Sequence, residues 1–593
     1  MIEFVPLSID YRIESNQPII RIWGRTREDQ SICVFVKGFE PYFYTDLEEI
    51  PPFPEIKKVE KVKKFAPFGF QTSKKEFTKV TTDLPGSVKK IREVIHTQAQ
   101  TWESDLPFAH RFEIDADIPG TKFCSVEGKE MPPRTLAEIN FLANSIKPTN
   151  LSLDPFQNLR ILSFDIEVRT TSGLPVGGRN PILSIGITKS KGDHNSSEVL
   201  IARDIDTPIP NCRSFSSERE MIREFIETIR TFDPDIITGF NVVNFDLKYL
   251  SDRIEFLNKE VRRRDQKLRL AIGRENKREK VSFREGQGGK KTIEMSASIT
   301  GRIILDAASL IRKNFALPSY SLKKVAEELL SYPKLDLSPK EINETFIKDP
   351  AKLIEYNQRD AELPIAILKE LGLLLRYSQL SELLHLSLDE VISHGTGFLV
   401  EHQFFRLFRS NDRLMPFNHH SNESQTKKGA TVLNPTKNVF ENVAIFDFSS
   451  LYPSLIIHHN ISPDTLILEE KQEIPYQVAP NGAKFVSPDT HIGILPNYLK
   501  NLIEERKKVK QQIKIEKEKR KLEFLEAKQN SLKILANSFY GAIGWEASRL
   551  FNIQITNAIT AYGRSALEKA TNLIKNKFNT EIIYGDSIGK NEI

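Results

Sequence analysis

The run ILSFDIEV, residues 161–168, constrains the fold of this chain more than any other stretch. It reads as an apolar strand, and from it to about residue 370 strands alternate with helices, which predicts an α/β domain. Asp165 and Glu167 stand two apart on that strand, so their side chains share one face. Two acids beside an apolar run repel each other and lose solvation unless cations sit between them. Taken alone, the pair reads equally well as two acids at a sheet edge.

Two other segments add to it. TGFNVVNFDLKYL sets Asp246 among apolar residues, and YNQRD places Tyr356 and Asp360 at i and i+4, on one face of a helix. Several carboxylates offered beside a phenol suit two oxygen-loving divalent cations and an activated water. Such a centre can cleave a phosphodiester, one metal acidifying the attacking water and the other stabilising the leaving oxygen. Tyr356 is placed to orient that water.

The chain has 593 residues, too many for one core, so three to five domains are expected. Its 84 Lys+Arg against 79 Asp+Glu give a net charge of +5, too slight a bias to require an anionic partner. Cys33, Cys124 and Cys212 stand far apart, with no zinc-type cluster and no disulfide framework. The opening MIEFVPLSIDYRIE lacks the apolar core of a signal peptide, and no run approaches a membrane span. A soluble cytoplasmic protein is the expectation.

Residues 1 to about 150 alternate apolar and polar in short runs such as PIIRIWGR and SICVFVKGF, which read as strands, with a helix at SVKKIREVI. PPRTL and KPTNLSLDP read as a linker. The basic stretch 258–292 reads as a solvated hairpin and loop, with contact to a nucleic-acid backbone as the sharper alternative. NVAIFDF reads as a buried strand ending at Asp447. Two long helical patterns run from Leu495 to about Arg549, the first strongly basic. A further helix, NAITAYGRSALEKATNLIKNKF, leads to a last strand, Ile582 to Ser587, with Asp586 at the tip of a tight turn.

FDIE, GFNVVNFD and YNQRD, in that order, resemble the three motifs of the proofreading exonuclease of B-family DNA polymerases. The resemblance implies an RNase H-like fold and removal of nucleotides from a 3′ end. It assigns Asp165, Glu167, Asp246 and Asp360 as metal ligands, with Tyr356 helping the water. GRIILD, with Asp306, follows the same family pattern and is read as structural.

AIFDFSSLYPSLII resembles motif A of the same polymerases. The turn from Phe448 to Tyr452 can aim backbone N–H groups at phosphate oxygens. The resemblance makes Asp447 a catalytic metal ligand, shared with a second site of two Mg²⁺ or Mn²⁺ ions. It sets Ser449 and Leu451 beside the nucleotide and the Tyr452 ring under the incoming sugar, where a 2′-hydroxyl would clash. KILANSFYG resembles motif B. Arg506 and Lys510 are i and i+4, as are Lys533 and Asn537, so two antiparallel helices can offer three cations to a triphosphate. ERKKVKQQIK alone reads as a solvated charged helix; with its partner motif, the resemblance has Arg506, Lys510 and Lys533 grip the triphosphate and Tyr540 stack near the nascent pair. Gly541 leaves room for that pair. KKGATV resembles the segment between exonuclease and palm, with Lys427 where the family has tyrosine. FEPYFY, PGSVKKIRE and DLPFAHRF resemble archaeal members that bind template uracil. There Tyr11, Pro41, Val88, Phe108 and Arg111 fall on or beside pocket positions, although generic core packing explains them equally well.

The family's motif C reads YGDTDS. Here Tyr584, Gly585 and Asp586 are present, but Ile588 stands where the second acid belongs. The expected architecture is therefore α/β and α+β multidomain: an N-terminal domain (1–150), an RNase H-like 3′–5′ exonuclease (151–375), palm (376–494 and 549–593) and helical fingers (495–548), without a thumb. The expected function is template-directed DNA synthesis with proofreading, using deoxynucleoside triphosphates and a primed template. A second polypeptide, through which a sliding clamp can also dock, would supply the rest of motif C and the thumb. Gene fission is preferred over an intein, a frameshift or a degenerate polymerase, because the upstream polymerase side chains are intact. A plain exonuclease and a non-catalytic DNA-binding scaffold are the competing readings.

Overall fold

The computed structural model describes the chain except for residues 171–174, 206–207, 277, 288–292, 333–336, 419–428, 430, 469–473, 579 and 587–593. It resolves into two compact units, each drawn from separated stretches of sequence. The first takes Met1–Asp10, Ile20–Lys37 and Ile118–Ser393; the second takes Tyr11–Ile19, Gly38–Asp117 and His394–Ile593.

In the first unit, strands β1 (Ile2–Glu14), β2 (Gln17–Thr26), β3 (Ser31–Val36), β4 (Lys122–Glu130) and β5 (Ile139–Ser152) close a barrel in the order β1-β2-β3-β5-β4. The predicted linker KPTNLSLDP is mostly strand. Lys147 and Pro148 pair with Ser125 and Cys124, and Ser152 with Lys122. Pro148 cannot donate to a ladder, but it sits where the register shifts, so the strand absorbs it at an irregularity.

The same unit carries a six-stranded mixed sheet: β6 (Arg160–Val168), β7 (Ile182–Lys191), β8 (His194–Ile201), β9 (Cys212–Ser214), β10 (Ile236–Gly239) and β11 (Ile303–Asp306), in the order β9-β8-β7-β6-β10-β11. β6 pairs antiparallel with β7 and parallel with β10, so it lies inside the sheet, with Leu162, Phe164, Ile166 and Val168 on one face and Asp165 and Glu167 on the other. Helices α1 (Glu218–Phe232), α2 (Asp246–Leu257), α3 (Ala307–Asn314) and α4 (Pro350–Glu370) belong with it. Phe164, Ile166, Ile185, Phe225, Ile237 and Leu250 form part of its core. The α/β alternation read from the sequence is present. The basic stretch contains the solvated hairpin: Ser282–Gln287 pairs with Ile293–Ser298, while residues 277 and 288–292 lie outside the described residues.

A buried ionic network holds this unit at the entry to β10. Arg274 donates to Asp233 at 2.8 Å and to Asp235 at 2.9 Å, and its Nη1 reaches the Gly301 carbonyl at 3.0 Å. Arg25 of β2 closes on Asp235 at 2.5 Å, and Arg302 on Asp233 at 2.8 Å.

In the second unit, a four-stranded sheet orders Ile56–Lys64, Lys75–Thr82, Tyr42–Thr45 and Thr101–Trp102. Helices α5 (Leu451–His458), α6 (Ile494–Ile515), α7 (Lys519–Gly544) and α8 (Ile553–Phe578) follow; the helical patterns predict the last three, and α5 is not among them. His110 and His402 stack inside this unit, Nε2 to Nδ1 at 2.8 Å, and burial pushes His110 down to about 3, so it stays neutral. Two sequence expectations fail here. Residues 442–448 form no strand, and their apolar side chains are open, Ile445 at 90% and Phe446 at 77% exposure. An apolar run becomes a strand only against a ladder partner, and among the described residues this one has none. Nor do residues 582–586 form a strand: Asp586 makes one isolated bridge to Val432, flanked by Leu433 N to Gly585 O at 2.7 Å and Thr436 N to Ile583 O at 3.0 Å. Among the described residues no helix is long and apolar enough to cross a membrane.

Candidate active site

The β6 strand and the α4 helix come from distant parts of the sequence, yet they deliver carboxylates to one point. Asp165, Glu167 and Asp360 each offer an oxygen, and these oxygens all lie within 4.8 Å of one another. Glu167 and Asp360 are buried and Asp165 half-buried. The strand period of two aligns the first pair, and the helix carries the third across the sheet. Three negative charges held this close in a partly buried site repel strongly, and oxygen donors in this number fit a hard divalent cation.

Tyr356, one turn before Asp360, is buried and hydrogen-bonded to that carboxylate. Burial, and then the negative charges of Asp360, Glu167 and Asp165, raise its pKa well above the ordinary phenol range. The phenol therefore stays protonated at neutral pH and acts as a hydrogen-bond donor rather than as a base.

Asp246 does not belong to the 4.8 Å group. It opens α2 with 2% exposure, and its Oδ1 accepts the Ile166 N–H at 3.0 Å, between the two strand acids. Burial pushes its pKa up to about 8, with the charges of Asp306 and Asp360 adding to the rise and backbone N–H groups opposing it. Between the ordinary carboxylate value and 8, the unfolded chain has released this proton and the folded chain retains it, so stability falls as pH rises through that window. Asp246→Asn mimics the neutral form. In chelator at pH 8 it is expected to melt about 3–8 °C above the parent, with the gap closing towards pH 4, as thermal melts across that range will read. Asp306 is structural as expected: it caps α3 through Ser309 N at 3.2 Å and accepts from Asn241 N and Val243 N.

The second constellation is partly assembled. Ser450 takes a left-handed conformation (φ 53°), giving the predicted sharp turn before α5. Tyr452 is buried, with its ring 4.3 Å from that of Tyr540. The α6–α7 hairpin is pinned by Lys528–Glu505 at 2.8 Å and by Arg506 Nε to Gln529 Oε1 at 3.2 Å. Lys533 lies one turn from Gln529, so Arg506 and Lys533 share a side of the hairpin, while Lys510 and Lys533 are exposed and Asn537 half-buried. A Cβ at Gly541 would meet no protein atom within 4 Å, which leaves that helix surface open. Asp447 is exposed in the segment that forms no strand, Ser449 is exposed in the turn after it, and Leu451 opens α5 half-buried. Asp586 accepts from the Tyr584 hydroxyl at 2.7 Å, and among the described residues its backbone pairs with Val432, not with the Asp447 segment. Lys427, Ser587 and Ile588 lie outside the described residues.

The five N-terminal pocket positions are mainly packed. Phe108 meets Tyr11 edge-on at 5.1 Å, and Val88 joins the core around Phe43 and Ile91. Pro41 is buried. Arg111 is buried against Glu103 at 2.6 Å and lies 4.4 Å from the Tyr42 ring. Only Tyr11, at 39%, is exposed.

Sequence reading missed Asn357, Ser184 and Gly186, which support Asp165. The adjacency of Asn357 to Tyr356 was its only signal; Ser184 and Gly186 look like any small residues in an apolar strand.

Residues 99–325 match the exonuclease domain of DNA polymerase family B, and residues 386–588 match DNA polymerase family B itself. The helix carrying Tyr356 and Asp360 falls between the two matched segments. The DNA polymerase of Thermococcus gorgonarius is 31% identical over 98% of this chain and 70% of its own length. The DNA polymerase delta catalytic subunit of Arabidopsis thaliana is 30% identical over 96% of this chain; the chain spans 58% of that protein. The structure of the family B DNA polymerase from Pyrobaculum calidifontis superposes with a TM-score of 0.80 at 25% identity, covering 99% of this chain and 74% of that one. With both segments of the family in order, and a polymerase aligned along 98% of this chain, the chain belongs to DNA polymerase family B.

Proposed function

We propose that this chain removes nucleotides from a DNA 3′ end at the Asp165–Glu167–Asp360 centre, and that its second unit carries most of a template-directed DNA-synthesis centre. The observation that carries the first half is the convergence of three carboxylates within 4.8 Å inside a family B exonuclease domain. Two Mg²⁺ or Mn²⁺ ions would be held by these acids, with Asp246 completing the set, and would supply Lewis acidity towards water and phosphate. Tyr356 donates its one proton to Asp360, which leaves its hydroxyl oxygen to accept from the attacking water and orient it.

For synthesis, Tyr452 and Tyr540 form the floor beneath the sugar and base, and Ser449 and Leu451 flank it. Arg506, Lys510 and Lys533 meet the triphosphate, with Asn537 beside them. Asp447 and Asp586 are the acids this chain offers. Ile588 stands where the family has a carboxylate and cannot bind a cation, so on this reading the second acid comes from outside residues 1–593, with a second polypeptide as its source. The primed template, the deoxynucleotides, a clamp reached through that partner, and a uracil-reading role for the face around Tyr11 belong to the same reading. The exposed Asp447 segment favours a second reading, in which residues 1–593 by themselves act only as an exonuclease.

Primer assays separate the two. The 593-residue polypeptide alone is expected to shorten a labelled primer yet to extend it about 10³-fold more slowly than with a partner that supplies the acid, the effect of losing several kcal/mol of charge stabilisation. Robust extension by this polypeptide alone sinks the shared centre. Degradation without any extension, whatever partner is added, favours the exonuclease-only reading.

A further inference from the structure

The Asp165 carboxylate is not left to find its own orientation. Glu167 and Asp165 of β6 stand opposite Ser184 and Gly186 of β7. Directly opposed residues on antiparallel strands share a face, so Ser184 and Gly186 lie on the same side of the sheet as the two acids. Helix α4 crosses that face closely: a Cβ at residue 186 would stand 2.4 Å from the Asn357 carbonyl oxygen, and only glycine admits the helix there. The close approach inserts the Asn357 side chain, fully buried, between the strands' polar groups.

Its hydrogen bonds are directional. The Asn357 Nδ2 donates to Asp165 Oδ2 at 2.9 Å and to the Asp165 carbonyl at 3.2 Å. Its Oδ1 accepts from the Ser184 hydroxyl at 2.9 Å, and Ser184 is itself fully buried. The Asp165 carboxylate and carbonyl only accept, so they fix which end of the amide faces them, and the Ser184 hydroxyl, donating to Oδ1, holds the other end in place. A reversed amide would set oxygen against carboxylate. Held by Oδ2 and by its own backbone, the Asp165 carboxylate loses its freedom to rotate. An amide is also the right group for this place, because a carboxylate at 357 would add a fourth negative charge to the cluster.

We propose that Ser184 and Asn357 are a positioning pair, acting in series to fix the Asp165 carboxylate for a divalent cation. The inference rests on the exonuclease reading above. Outer partners of metal-ligating side chains commonly govern affinity by about 10–100-fold.

The test uses the full chain, stripped of metal, with Mn²⁺ as the probe and free Mn²⁺ read by electron paramagnetic resonance. Asp165→Ala defines the component of binding that belongs to this centre. Asn357→Leu is expected to weaken that component by about 10-fold or more, and Ser184→Ala by about 2–10-fold. The double variant should be no weaker than Asn357→Leu alone, because the serine acts through the amide. In nucleotide-release assays, the Mn²⁺ needed for half-maximal rate should rise by the same factors, with saturating Mn²⁺ restoring the maximal rate. A merely structural defect would lower the rate at all metal concentrations. Should Asn357→Leu fail to fold, Ser184→Ala, which removes one hydroxyl, reads the same component. Unchanged Mn²⁺ affinity in the folded variants, or additive losses in the double variant, overturns the pair while leaving the exonuclease reading intact. A parent protein with no Asp165-dependent Mn²⁺ binding and no degradation overturns both.

Discussion

Asp165→Ala is expected to lower 3′–5′ degradation of an end-labelled single strand by about 10³-fold, several kcal/mol of transition-state stabilisation at tenfold per 1.36 kcal/mol. The effect is large because the residue does two things at once. It is one of three oxygen donors gathered within 4.8 Å, and it is the anchor of the Asn357 amide. Asp360→Ala should lose a similar factor and also release Tyr356, whose hydroxyl the carboxylate holds. Because each removal disables the same centre, the double variant should be little worse than either single one. Both variants should keep the parent's melting temperature or exceed it in chelator, since each removes a repelling charge from a crowded acidic site. A quantitative gel assay in Mg²⁺ decides it: residual degradation within tenfold of the parent would remove these acids from the chemistry.

The second large effect is on stability. Arg274→Met is expected to destabilise the first unit by about 3 kcal/mol, the low end of the cost of breaking a buried ion pair, because Arg302 still faces Asp233 and Arg25 still faces Asp235. Arg274 is 1% exposed and ties Asp233, Asp235 and the Gly301 carbonyl together. Burial works against the charge on Asp233, but Arg274 and Arg302 outweigh it and hold that carboxyl below the usual range. The sign of the pH dependence follows. A depressed carboxylate contributes stability that is present above the unfolded value of about 4 and is lost as pH falls through the folded one. The parent should therefore lose stability on acidification below about pH 4, and Arg274→Met should lose less over that range, having already forfeited the Arg274 share of the pairing and kept that of Arg302. Urea melts from pH 3 to 7 read both the offset and the slope.

Legibility in the sequence varied with the range of the interaction involved. The shared face of Asp165 and Glu167 was readable because strand side chains repeat every two residues, and that of Tyr356 and Asp360 because helix neighbours lie four apart. The long amphipathic helices α6, α7 and α8 were readable for the same reason. Errors arose where a local pattern needed a distant partner. Residues 442–448 are apolar enough for a strand, but they meet no ladder among the described residues. KPTNLS is polar enough for a linker, but β4 lies beside it and its proline falls at a register shift. Arg111, which the sequence reads equally as a pocket or a packing residue, lies against Glu103 at 2.6 Å, a partner no local pattern names.

The sequence by itself determined the chemistry: which acids lie on which face, which helices are basic, and that Ile588 cannot hold a cation. Periodicity and side-chain type are local properties, written in consecutive residues. Only the tertiary structure decided that Asp360 meets Asp165 and Glu167 while Asp246 turns to the Ile166 backbone. It also decided that Asn357 reaches Asp165. Those outcomes depend on strand register and on how closely α4 crosses β7, a distance set by the missing side chain of Gly186, and no periodicity in the chain encodes it.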